Sequence, residues 1–160
     1  MRLGIGNIFV LFLVLCSTAC AQQKKAVTNG KNYARLERAV VNRTLPGRRE
    51  GQIDSQYRFI MVWQSAETPT TFFYKAPNAW MNCLVNKLST AGGSQTAKEI
   101  ALENIQKGDT IELVPIKGGK FPMPSDIPEN LNNVILFKIN KSNWHYVTIG
   151  HYEKADVPMP

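Results

Sequence analysis

The sequence predicts an α+β protein, in which a small antiparallel sheet carries one or two short helices. Several segments alternate apolar and polar residues, a pattern typical of strands. Residues 78–107 instead place apolar side chains at helical spacing, between an asparagine and glycines. Aromatic residues cluster in residues 57–85, which predicts the position of the core because they bury the largest area per residue. An all-β barrel or sandwich is the alternative if residues 80–88 form a strand.

Residues 1–21 have the layout of a secretory signal. Arg2 gives a weakly positive start, residues 8–16 are an unbroken apolar run, and small residues follow. The apolar run is too short to cross a bilayer, which takes roughly 20 residues. Cleavage after Ala21 fits the small-residue rule. Alternatively, the run Ser-Thr-Ala-Cys at residues 17–20 resembles the lipobox of bacterial lipoproteins, which implies lipidation of Cys20.

Either form of processing predicts an exported protein that is periplasmic, secreted or lipid-anchored to the cell envelope. Residues 22–32 are polar and are expected to form a flexible lead-in. The remaining residues, 33–160, are of a length typical of a single globular domain. One cysteine outside the leader, Cys83, leaves no partner for an internal disulfide.

Positive charge is concentrated in residues 24–58, which contain nine basic and three acidic residues, whereas residues 59–160 contain nine of each. Next to a lipid anchor, Arg48, Arg49 and neighbouring basic residues would contact an anionic membrane surface, at about 1 kcal/mol per charge. The alternative is a solvated tether and the charged face of a strand. Because the segment lacks a helix-turn-helix or zinc motif and the chain is exported, no nucleic-acid partner is predicted.

The strands are predicted from period-two alternation and from β-branched and aromatic residues. Residues 33–44 favour a strand over a helix and precede a turn at residues 45–48, where Pro46 and Gly47 suit the central positions. The sheet itself is expected to consist of strands near residues 57–64, 70–75, 109–116, 134–140 and 144–152.

Two helices are predicted between residues 78 and 107. Trp80, Met81, Leu84, Val85 and Leu88 fall at helical spacing, with Asn78 placed as an N-cap. Thr96 and Glu99 have the spacing of a capping box ahead of a second helix at residues 100–107. Residues 117–133 contain two glycines and three prolines and predict a long loop, a feature often associated with lids or binding loops.

Cys83 and His145 form one candidate catalytic arrangement. A cysteine near the start of a helix acquires a lower thiol pKa, and a histidine at the start of a later strand is placed as a general base. The order of a cysteine helix, a Gly108-Asp109 strand and a histidine strand from His145 to Gly150 resembles secreted peptidoglycan hydrolases of the NlpC/P60 type, and more loosely the CHAP amidases. That resemblance implies a Cys83 nucleophile and a His145 base.

The favoured functional hypothesis is a non-enzymatic binding or accessory module of the bacterial envelope, and the hydrolase is the alternative. Its partner is expected to be an envelope glycan, peptide or protein, held on exposed aromatics such as Trp144, Tyr146 and Tyr152 or on the proline-rich loop. No cofactor is predicted. No metal is predicted either, because His145 and His151 would lie about 20 Å apart on an extended strand and neither has a cluster of ligands beside it.

Overall fold

The computed structural model describes residues 27–44, 54–91, 94–116, 124, 126–140 and 143–157, and most of these residues lie in strands. Helical structure within these ranges is limited to a short 3-10 helix, Leu102–Asn104. The expected α+β class is therefore wrong, and the described chain is nearly all β. In chain order, the strands are β1 Thr28–Asn29, β2 Ala34–Thr44, β3 Asp54–Trp63, β4 Pro69–Ala76, β5 Ala79–Ala91, β6 Ser94–Glu99, β7 Thr110–Pro115, β8 Val134–Ile139, β9 Trp144–Thr148 and β10 Glu153–Val157.

The strands form one mixed sheet that is curled into a half-barrel. Its order is β1-β9-β8-β4-β5-β7-β3-β2-β10, with β6 paired to β5 beside this path. The pairs β1–β9 and β2–β10 are parallel, and the other pairs are antiparallel. All five strands expected in the sheet are present, but the segment 144–152 is not one strand. It ends at Thr148, and the chain then crosses to the opposite end of the sheet as β10.

The first predicted helix is the long strand β5. A turn at Pro77 and Asn78 joins β4 to β5, so the expected N-cap lies in a hairpin. Cys83 and Val85 face the inner core, whereas Trp80 packs in a second cluster on the other face. Apolar residues on both faces of a buried strand produce the same spacing as one face of a helix, which explains the wrong prediction.

The second predicted helix is replaced by strand β6 and the short 3-10 helix. Residues expected to form the capping box, Thr96 and Glu99, belong to β6, where Thr96 pairs with Ser89 of β5. The two hydroxyl groups of this pair are 2.9 Å apart. Pairing with β5 satisfies backbone groups that a helix start would otherwise have to cap.

The inner core fills the curl of the sheet, and it draws on the predicted aromatic cluster. Trp63 meets Phe72 and Phe137 edge to face, with ring centroids 5.9 and 5.5 Å apart. The indole Nε1 of Trp63 donates to the carbonyl oxygen of Glu67 at 2.9 Å, which satisfies the polar atom of a fully buried side chain. Phe59 and Tyr74 extend this core, with ring centroids 4.8 Å apart.

A second apolar cluster covers part of the outer face. Its buried members are Ile127, Val134, Leu136 and Trp144. Ile127 belongs to the predicted 117–133 loop. It packs in this cluster together with the partly buried Leu131, whereas Pro128, Glu129 and Asn130 of the same loop are exposed. Residues 117–123 and 125 lie outside the described residues, as do the predicted leader, residues 22–26 of the lead-in and the turn at residues 45–48.

The outer face also holds a buried carboxylate. Glu112 of β7 accepts a hydrogen bond from Arg58 Nε at 2.6 Å and another from Asn86 Nδ2 at 3.0 Å. Only 3% of the Glu112 side chain is exposed, whereas Arg58 is half exposed. One arginine of the basic segment therefore neutralises a buried acid, as buried charges require.

Strand β1 is held against β9 at a position where only glycine fits. Gly30 donates its amide to the carbonyl oxygen of Tyr146 at 2.8 Å. A Cβ at this position would lie 2.5 Å from Cζ of Phe137. Gly30 thus brings the start of the described chain close to the aromatic core.

We expect Gly30→Ala to lower the free energy of unfolding by about 1–3 kcal/mol, because the added methyl group overpacks Phe137. The matched control is Gly150→Ala, where an added Cβ meets nothing within 4 Å and the change should stay within about 0.5 kcal/mol. Urea unfolding followed by tryptophan fluorescence measures both. Equal effects of the two substitutions would contradict the close approach at Gly30.

Candidate functional site

A groove opens where the two ends of the curled sheet meet. Two chain segments run side by side across this seam, in parallel at β1–β9 and again at β2–β10. Between these pairs the segments diverge, with residues 30–39 on one side and residues 147–152 on the other. The groove between these segments has a volume of about 610 Å³.

A β-bulge shapes one wall of this seam groove. Leu36 pairs with Met61 and Arg38 with Ile60, so Glu37 is the extra residue without an opposite partner on β3. The bulge shifts the alternation, so that Ala34 and Ala39 are both buried although their numbers differ in parity. Small buried side chains in this wall allow a ligand to approach the backbone closely.

The rim of the seam groove is charged. Arg38 donates from Nε to the two carboxylate oxygens of Glu153 at 3.2 and 3.1 Å, and this hydrogen bonding lowers the pKa of the Glu153 carboxyl. Arg35 forms a second ion pair with Glu37, at 2.6 Å. Both pairs are solvent-exposed, so water and salt screen them and each is easily exchanged. The other polar groups of the lining belong to Lys31, Gln64, Thr148 and His151.

The predicted catalytic pair is not brought together. His145 pairs with Phe137 on β8, and Phe137 pairs with Phe72 on β4. Cys83 lies on β5, the next strand in the sheet. The cysteine and the histidine are thus three strand spacings apart, about 14 Å, and two phenylalanines occupy the row between them.

Cys83 is a buried thiol. Its side chain belongs to the inner core, and burial raises the pKa of the thiol, an effect that a hydrogen bond from the Tyr74 backbone only partly opposes. The thiolate is the nucleophilic form of cysteine, so this environment suppresses nucleophilic reactivity.

His145 is also buried, and it helps to fix β1. Its Nδ1 lies 2.8 Å from Oγ1 of Thr28, and its ring packs against Tyr33 and Phe137 at centroid distances of 4.6 and 5.6 Å. Burial lowers the pKa of the imidazole, while the charge of Glu67 acts in the opposite direction. The neutral ring is therefore the form that this packing favours.

The three aromatic residues predicted to bind a partner do not form one exposed stripe. Trp144 is only 3% exposed and donates from Nε1 to Oδ1 of Asp126 at 3.1 Å. Tyr146 packs beside it, partly buried, in the outer cluster. Tyr152 lies against the inner core, with its hydroxyl 2.9 Å from that of Tyr74.

Other predicted site residues fall elsewhere. Cys20, Arg48 and Arg49 lie outside the described residues, so their predicted roles stay predictions. Among the residues that are described, no group of three or more His, Cys, Asp or Glu side chains could hold a metal ion. No helix in the same ranges is long and apolar enough to cross a membrane.

Sequence reasoning missed the residues that line the seam groove. Arg38 and Glu153 are separated by 115 positions, and no local pattern links them. The concentration of arginines in residues 24–58 was the one signal in the sequence that pointed to the groove. It included Arg35 and Arg38 but did not indicate which residues lie opposite them.

No protein-family model, curated protein or solved structure matches this chain. The described residues define the class by fold alone: a β-rich protein with one curled mixed sheet whose ends meet at an open seam.

We expect Cys83 to resist alkylation in the native protein at any pH between about 6 and about 8.5, because the thiol is buried and its thiolate is disfavoured. Denaturation should expose it to rapid reaction. Peptide mapping by mass spectrometry reads Cys83 separately from Cys16 and Cys20. A native thiol that reacts quickly near pH 6 and slows in His145→Ala would contradict this geometry and favour the hydrolase hypothesis.

We also expect His145 to make folding pH-dependent. Its pKa is lower in the folded state than the unfolded value of about 6.5, so the unfolded chain binds the proton more tightly. The stabilisation by the neutral ring is complete above about pH 6.5 and is lost as the pH falls below it.

Urea unfolding at several values between about pH 7.5 and about pH 5 measures this slope. His145→Gln should flatten it, since glutamine does not titrate and its side-chain amide can still hydrogen-bond Thr28. His151→Gln, on the exposed link between β9 and β10, is the matched control. If both variants keep the wild-type slope, His145 is not its source.

Proposed function

We propose that this chain is a non-enzymatic binding module of the bacterial cell envelope and that the seam groove is its binding site. The proposal includes export directed by residues 1–21, with periplasmic, secreted or lipid-anchored placement, the last through Cys20. The features of the leader that support export are its apolar run and the small residues that follow it.

The observation that carries the proposal is the groove itself. Its volume of about 610 Å³ is within the range of small-molecule sites, roughly 300–1,000 Å³. Apolar side chains of Ala34, Leu36 and Val147 line it beside charged groups of the rim. The apolar groups offer a ligand contact area, and the polar and charged groups, which are the majority of the lining residues, offer directional partners that orient it.

A binding role is favoured over the hydrolase alternative by the positions of the two candidate catalytic residues. The buried Cys83 thiol lies three strands from His145, whereas a general base must reach its nucleophile at about 2.6–3.2 Å. The hydrolase hypothesis stays a prediction, and the alkylation experiment tests it.

The proposed partner is an envelope glycan, peptide or protein. The cations at the rim, Arg35 and Arg38, belong to the same basic segment as Arg48 and Arg49, for which contact with an anionic membrane surface is proposed. Such a contact would orient the module on the envelope while the groove remains available to the partner.

We expect the full chain to fractionate with the cell envelope or the medium and to bind at least one envelope component through the groove. Co-sedimentation with purified peptidoglycan, with envelope membrane vesicles and with reconstituted envelope proteins measures binding. Thr148→Trp, at an exposed residue of the groove, should weaken it at least about tenfold, or 1.4 kcal/mol, by filling the site.

The matched control is Thr90→Trp, which places the same side chain at an exposed position near the end of β5. This variant should bind as the wild type does. Cytoplasmic accumulation, absence of binding to every component, or equal loss in both variants would each contradict the proposal.

A further inference from the structure

We propose that the seam groove binds an extended, carboxylate-rich peptide segment of a partner protein, which adds a strand to the exposed part of the β2 edge. This inference rests on the proposed binding function and names the chemical class of the partner. It is derived from the backbone groups that face the groove and from the charges on its rim.

The edge of β2 is divided into two parts. Residues Val40 to Thr44 pair with β10, whereas among the described strands residues 34–39 pair with β3 alone. The amide of Trp63 donates to the carbonyl oxygen of Asp109, so the backbone of Trp63 faces β7. In an antiparallel ladder the backbone groups of successive residues point to opposite neighbours. The N–H and C=O groups of Val62 therefore point to β2, and those of its partner Arg35 point to β3.

The same alternation, shifted by the bulge, points the backbone groups of Leu36 and the amide of Ala39 into the groove. On the opposite wall, Ile149 donates its amide to Asn133, which lies beyond the end of β8. Its neighbour Thr148 therefore points its own backbone groups away from β8 and towards the groove. Donors and acceptors from both segments thus face a single space.

Backbone N–H and C=O groups require partners, and an extended peptide supplies donors and acceptors in the alternating order that a strand edge presents. Strand addition of this kind obtains affinity from main-chain hydrogen bonds and specificity from alternate side chains. The buried alanines of β2 leave room for the incoming backbone. A sugar or a lipid headgroup carries no such repeating series of donors and acceptors.

Charge determines which peptide fits. The side chains of Arg35 and Arg38 are 63% and 55% exposed, and each is paired with an exposed carboxylate of this chain. Exposed pairs contribute little in water, so carboxylates of a ligand can replace Glu37 and Glu153 while forming charge-assisted hydrogen bonds with the arginines. Charged side chains protect a strand edge from neutral strands. Lys31 brings the lining to three cations against two carboxylates, and this excess favours an acidic strand.

The test uses the full chain and an end-blocked synthetic peptide in which Glu alternates with Val. The control peptide has the same sequence with an N-methyl group on every backbone amide, which keeps the side-chain charges and removes the donors from both edges. Isothermal titration calorimetry should show binding of the first peptide and at least about tenfold weaker binding of the second. Hydrogen exchange should show new protection at Leu36, Ala39 and Thr148 only with the first.

Two charge reversals test the rim. Arg38→Glu should weaken binding at least about tenfold, whereas Lys154→Glu, on β10 outside the groove lining, should leave it within about twofold. Circular dichroism confirms that both variants are folded. Equal losses in the two variants would mean a general attraction between the peptide and a basic protein and would overturn strand addition.

The remaining outcomes separate this inference from the function on which it rests. Equal binding of the N-methylated peptide, or binding to anionic phospholipid vesicles that blocks the peptide, would overturn strand addition and indicate a charge-only site. Failure of both peptides, with Thr148-sensitive binding to peptidoglycan retained, would overturn the peptide class and leave a glycan-binding module. Failure of the peptides and of every envelope component would overturn both proposals.

Discussion

Contact between aromatic rings from distant strands holds the two halves of the sheet together. Trp63 on β3 and Phe72 on β4 are separated in the sheet by two strands, yet their ring centroids are 5.9 Å apart. Side chains so placed can meet only if the sheet curls around them, which the twist of strands permits. The curl brings β2 towards β9, and the seam groove is a consequence. Phe137, the third ring of this group, also limits residue 30 to glycine, so the same packing positions the β1 end of the seam.

Apolar residues on both faces of the sheet account for the main error in the predicted fold. Trp80 lies on the outer face of β5, while Cys83 and Val85 lie on its inner face, and both faces are covered by packing. A strand covered on both sides loses the simple alternation that distinguishes it from a helix. The outer face of β7 is covered in a similar way, by polar groups. There the buried carboxylate of Glu112 accepts hydrogen bonds from Arg58 and Asn86.

The groove is lined by residues that are distant in sequence. The separation of the predicted catalytic pair likewise results from how distant segments pair in the sheet. Element order placed Cys83 and His145 in a sequence that resembles that of a known hydrolase class, but element order says nothing about how many strands lie between two residues. In the sheet, β4 and β8 separate them, and each residue has a role in packing. The groove, in contrast, joins Arg38 to Glu153 and exposes backbone edges that no side-chain motif encodes.

The sequence by itself determined the pattern in residues 1–21 on which the prediction of export rests, the single cysteine after that segment, the basic segment and the position of the aromatic core, because these are properties of composition or of local pattern. It also located four of the five strands expected in the sheet and the first part of the fifth, which ends at Thr148, since strands are marked locally by alternation and by β-branched and aromatic residues. Tertiary structure alone decided that residues 79–91 are a strand, that β1 and β10 form parallel pairs, and that a groove lies between residues 30–39 and 147–152. The physical reason is that pairing between distant segments and the coverage of both sheet faces depend on the whole fold, and no local stretch of sequence contains that information.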